Sequence, residues 1–201
     1  MWMLLLLPVV FSQWTPSTYP NPRKGGYKEC KMRSVSNVCD PDEVLTEGER
    51  YRLNSELTRM ASRTEEAGGN FCARKGVDPV LVIMQEEGDQ AFADTLNKQW
   101  NLDGQCQKSV IFLLCAGDRK LYFSGEANSG IEPAEFQAVV SAQELPLRSG
   151  QYTTATGNIF KELGKKTNPL ATQPPPTAKS GRDPNPETMN LRPQHNTASA
   201  P

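Results

Sequence analysis

The chain of 201 residues has one histidine, His195, and none of its five cysteines stands in a C-x-x-C pair. Histidine-ligated zinc and Ser–His or Cys–His nucleophilic pairs are therefore excluded from the domain that precedes His195. An excess of charge is also missing. Twenty-two Lys and Arg face 23 Asp and Glu, for a net charge of −1. A nucleic-acid binder needs a basic surface to neutralise phosphates, so that class is set aside. There is no EF-hand loop, no phosphate-cradling glycine run and no N-x-[ST] sequon. The rare patterns Asn37-Val38-Cys39 and Asn70-Phe71-Cys72 end on cysteines expected to be oxidised, so no N-glycan is expected. Beyond the N-terminus no stretch is long and apolar enough to span a bilayer.

What is present begins with Met1-Trp2-Met3 and an apolar run to Phe11, then Ser12 and Gln13. Ten apolar residues make a helix of only about 15 Å, half a bilayer core. A signal peptide over residues 1–12, cleaved after Ser12, fits better than a membrane span. It lacks a basic n-region, and the alternative is an apolar strand or helix of the mature fold. Cysteine usage points to the same oxidising compartment, so the expected location is secreted and extracellular.

Four paired cysteines allow three connectivities, and their number does not choose. Position helps. Cys72 lies shortly before the apolar run from Val77, and Cys106 shortly before the run from Val110. If the runs are neighbouring parallel strands, these cysteines share one end of the sheet and bridge. Cys30 and Cys39 then close a local loop, and Cys115 remains as a buried free thiol.

Residues 13–37, rich in Pro, Gly and Ser, read as an extended lead-in to a domain over 38–164. Thr46 and Glu49 form a capping box ahead of a helix whose stripe is Leu53, Leu57 and Met60. Val77–Met84 reads as a buried strand, with Pro79 confined to its start or an edge. Phe92, Leu96 and Trp100 mark a second helix over about 89–100, with Trp100 completing the core stripe rather than serving as an exposed anchor. Val110–Ala116 and Lys120–Gly125 follow as strands joined by a hairpin. Two helices are expected over about 133–143 and 152–163, with Gly164 as a C-cap. The expected class is α/β, a single three-layer αβα sandwich with a small mixed sheet, stapled by disulfides. From residue 165 to 201 prolines among polar residues predict a disordered tail.

The stretch Val38-Cys39-Asp40-Pro41-Asp42-Glu43-Val44-Leu45, followed by Arg52-Leu53-Asn54, resembles the opening of a TPM domain. Trp100-Asn101-Leu102-Asp103 and Asp118-Arg119-Lys120 agree with it in order and spacing. Tyr27-Lys28-Glu29-Cys30, Phe71-Cys72 and Gln105-Cys106-Gln107-Lys108-Ser109-Val110 resemble the nematode modulator-of-levamisole-receptor branch. The likeness runs from about Tyr19 to Leu163. It implies an α/β sandwich and a non-enzymatic auxiliary protein of acetylcholine receptors, with a cell-surface receptor or ion-channel ectodomain as partner. Members of that branch carry a transmembrane helix after the domain, whereas the tail here is polar. Plant-type TPM domains imply an alternative, Ca²⁺ binding with weak acid-phosphatase activity, for which Asp40, Asp42 and Asp118 are the available carboxylates. The plainer reading is that Asp40 and Asp42 organise their loop and Asp118 its turn. No other cofactor is expected.

Overall fold

A computed structural model describes residues 14–165. The expected signal peptide and all but the first residue of the expected tail lie outside them. The elements run β1 (Val38–Cys39), α1 (Glu47–Arg63), α2 (Phe71–Arg74), β2 (Asp78–Met84), α3 (Gln90–Trp100), β3 (Ser109–Cys115), β4 (Lys120–Gly125), α4 (Pro133–Ser141), α5 (Glu144–Arg148) and α6 (Tyr152–Glu162). The sheet has the order β1-β2-β3-β4, with β1, β2 and β3 parallel and β4 antiparallel to β3. The α/β class and the mixed sheet expected from the sequence are both present.

Local chemistry explains most boundaries. The Thr46 hydroxyl accepts from the Glu49 amide and the Glu49 carboxylate accepts from the Thr46 amide, so α1 begins on its capping box. Such a cap is worth roughly 0.5–2 kcal/mol. Asp89 caps α3 through the Phe92 amide. Gly164, at φ +67°, follows the end of α6 in the left-handed region that a residue without Cβ adopts freely. The helix expected over about 133–143 is α4, which ends at Ser141, and a short helix that was not expected, α5, follows it from Glu144.

Strands β2 and β3 are buried on both faces, which is why their sequences are apolar throughout. On one face Leu81, Ile83, Phe112 and Phe123 pack with Leu53 and Leu57 of α1, Phe136 of α4 and Phe160 of α6. On the other, Val82, Met84, Leu113 and Cys115 pack with Leu96 and Trp100 of α3 and with Tyr19, Cys30 and Met32. Residues 14–37 are thus a run of turns laid against the sheet, not an extended lead-in. Cys30 is bonded to Cys39 and Cys72 to Cys106, while Cys115 is a buried free thiol.

Pro79 stands second in β2, a central strand. It is tolerated because β1 pairs only with Leu81 and Val82, which leaves the flank of Pro79 outside the β1 ladder.

Candidate functional site

Because β1 has only two residues, most of the β2 flank has no neighbouring strand. Three successive β2-side amides facing that flank are nevertheless bonded. Leu81 N–H donates to the Asn37 carbonyl, Ile83 N–H to the Tyr19 phenol oxygen at 3.2 Å, and Gln85 N–H to Asp42 Oδ2 at 2.9 Å. The first of these belongs to the β1 ladder, and beyond it a phenol and a carboxylate stand where a longer strand would have stood. The Tyr19 hydroxyl lies 2.5 Å from the Ile83 carbonyl and 3.1 Å from that of Cys39, so its proton also serves the acceptor side. Burial pushes this phenol well above its ordinary pKa and keeps it a donor.

The three aspartates proposed for Ca²⁺ are bound within the fold. Asp40, fully buried, accepts from the amides of Val44 and Leu45 and from Arg50 Nη1 at 3.2 Å. Burial raises its pKa, outweighing the Leu45 and Val44 amides and the Arg50 guanidinium. Asp42 accepts from the Trp14 indole at 2.9 Å through its other oxygen. Asp118, in the β3–β4 turn, accepts from the Tyr122 hydroxyl at 2.7 Å and pairs with Lys120 at 3.6 Å. Its Oδ1 is buried without a hydrogen-bond partner. Asp40 and Asp42 share one loop and Asp118 sits in another. Among the described residues no group of three or more His, Cys, Asp or Glu side chains is placed to hold a metal ion.

At the opposite side of the sheet β4 is the edge strand. A slot of about 1090 Å³ runs along it, between Gln90 and Asp94 of α3 on one side and α4 and α5 on the other. Its apolar wall is Leu121, Phe123, Phe136 and Leu147, with the Phe123 and Phe136 rings stacked at 4.9 Å. Its rim is charged, with Asp94, Glu126 and Glu132 among the acidic residues. Little in the sequence points to this slot, because its walls come from segments 90–94 and 118–148, which only the folded sheet brings together. The alternation of Leu121 and Phe123 with Tyr122 was the one available signal.

The solution structure of the N-terminal domain of a protein from P. gingivalis superposes with a TM-score of 0.55 at 18% identity, covering 75% of this chain and 89% of that one. This likeness shows the fold. The BA42 protein from the psychrophilic bacterium Bizionia argentinensis matches with a TM-score of 0.49 at 15% identity, over 62% of this chain and 82% of that one. No curated protein matches the sequence. The family model described as "Modulator of levamisole receptor-1" matches residues 14–119, from Trp14, which bonds Asp42, through the hairpin turn after β3. That match covers more than half of the sequence, and the chain belongs to the modulator of levamisole receptor-1 family.

Proposed function

We propose that the protein is a secreted, non-enzymatic binding module that acts on the ectodomain of a cell-surface receptor or ion channel, by family a levamisole-sensitive acetylcholine receptor. The match of the family model over residues 14–119 carries this reading. The two disulfides support an oxidising compartment. No helix among the described residues is long and apolar enough to cross a membrane. Two of the three carboxylates that Ca²⁺ chemistry would use, Asp40 and Asp42, are occupied in holding their loop, and Asp118 sits in a separate turn. The binding reading leaves them in that role and uses the surface instead.

Co-expression with levamisole-sensitive acetylcholine receptors, with current recording, tests the proposal. A change in agonist-evoked current and co-purification with the receptor are expected. Unchanged currents without co-purification would sink the receptor reading. Intact mass of the secreted protein is expected to show loss of Met1–Ser12 and two bridges, with Cys115 alkylated only after unfolding.

A further inference from the structure

The two sides of the sheet end differently, and the β4 side is unfinished. The Glu126 amide donates to the Ser109 carbonyl, which fixes the phase of the antiparallel ladder. Residues then alternate, so Ser124 and Tyr122 direct their backbone groups at β3 while Leu121, Phe123 and Gly125 direct theirs away from it. Among the described residues, only one of these outward groups has a partner. The Phe123 carbonyl accepts from Gln90 Nε2 at 2.6 Å. That carboxamide N–H stands where the amide of a next strand would stand. The remaining outward groups, on Leu121, Phe123 and Gly125, have no hydrogen-bond partner among the described residues, a row that natural sheets ordinarily blunt or cover.

The slot beside this edge lies between the layers that cover the two faces, α3 on one and α4–α5 on the other, where a fifth strand would lie. Leu121 and Phe123, largely buried in the core, form the apolar floor on one side of that position. The charge of the rim specifies the occupant further. Lys120 is paired with Asp118 and Arg148 with Glu144, while Arg119 is bonded to a neutral group, the Arg148 carbonyl. Among the described residues, Asp94 and Glu126 are bonded only to neutral groups, the Gln90 carboxamide and the Ser109 amide, and Glu132 has no ion-pair partner. Among the described residues, three carboxylates and one guanidinium without an ion-pair partner therefore border the slot, an excess of negative charge.

We infer that the free edge of β4 is a docking site for an extended segment of a protein partner, which adds as a fifth strand and carries lysine or arginine against Asp94, Glu126 and Glu132. Strand addition of this kind takes affinity from main-chain bonds and specificity from alternate side chains. It takes from the proposed function only the premise that the partner is a protein. Most of the slot lies C-terminal to residue 119, beyond the stretch that the family model matches.

The test uses the secreted chain and three synthetic decapeptides, one alternating lysine and valine, one alternating glutamate and valine, and the lysine peptide N-methylated at alternate residues. Backbone amide shifts and hydrogen exchange are followed by NMR. The lysine peptide is expected to shift and protect the amides of Leu121, Phe123 and Gly125. The glutamate and N-methylated peptides are expected to bind at least tenfold more weakly. Asp94 and Glu132 are both exposed, so Asp94→Lys with Glu132→Lys leaves the fold intact and is expected to reverse the charge preference. The inference is overturned if no β4 amide responds, if N-methylation has no effect, or if the double variant keeps the wild-type preference. Receptor currents separate this from the proposed function. Modulation by wild type that survives in the double variant would remove the slot and keep the function. Peptide binding without any modulation by wild type would do the reverse.

Discussion

The sheet has two flanks, and the chain treats them in opposite ways. On the β2 flank, where β1 stops after two residues, the amides of Leu81, Ile83 and Gln85 meet a carbonyl, a phenol and a carboxylate contributed from distant positions. On the β4 flank a single carboxamide from Gln90 covers one carbonyl. Both flanks pose the same physical problem, since strand amides and carbonyls are obligatory hydrogen-bonding groups. The first is buried at Leu81 and Ile83, where an unpaired group costs roughly 1–3 kcal/mol, and those amides, with the exposed Gln85 amide beyond them, are all matched. The second opens into the charged slot, where water or a partner supplies the bonds. The difference teaches that the closed flank belongs to folding and the open flank is available for recognition.

The comparison breaks hardest if the segment that closes the β2 flank is released. Cys30→Ser with Cys39→Ser opens a bridge between residues nine apart. A chain-entropy treatment of a loop that short assigns it about 2.5 kcal/mol. Thermal unfolding should fall by about 5–10 °C, and the Ile83 amide should exchange faster. Tyr19→Phe removes only the oxygen and should cost about 1–3 kcal/mol, because the Ile83 N–H and C=O both lose a partner inside the core. Its decisive readout is exchange at Ile83 with little change at Leu121. Asp42→Ala should cost about 1 kcal/mol, since the Gln85 amide is exposed enough for water to replace the carboxylate. Unchanged stability in both of the last two variants would show that the closed flank is incidental. Gln90→Ala should move stability by less than about 0.5 kcal/mol, as surface changes do. By freeing the Phe123 carbonyl it should tighten binding of the lysine peptide, and weaker binding would show that Gln90 helps to form the site.

Acid stability sharpens a different part of the same end-of-sheet logic. Burial alone would raise the pKa of Asp103, but Lys75, the Lys108 amide and the Cys106 amide together lower it. A carboxyl lowered in the folded state contributes stability above its unfolded value, about 3.9, and loses it as pH falls through the folded value. Asp103→Asn should therefore melt about 2 °C lower at pH 7, with the gap closing below pH 4. A gap independent of pH would assign the residue a packing role alone.

Much of the architecture was legible because regular elements announce their own periods. Leu53, Leu57 and Met60 fixed the buried stripe of α1, and Thr46 with Glu49 fixed its start. Continuous apolar runs marked β2 and β3, and the order of Cys72 and Cys106 before them placed those cysteines in reach of each other. The strand β1 was not legible, because two residues have no period. Nor was the packing of residues 14–37, whose turns carry no repeat and whose buried side chains, Tyr19, Cys30 and Met32 among them, follow no period.

By itself, then, the sequence determined the long helices and strands, which cysteines could meet and which family the chain resembles, since these depend on neighbours a few residues apart. Tertiary structure alone decided that Tyr19 meets Ile83, that Asp42 meets Gln85, and that β4 ends the sheet beside an acidic slot. Those contacts join residues 64, 43 and about 30 positions apart, and no local preference specifies them until the sheet has formed.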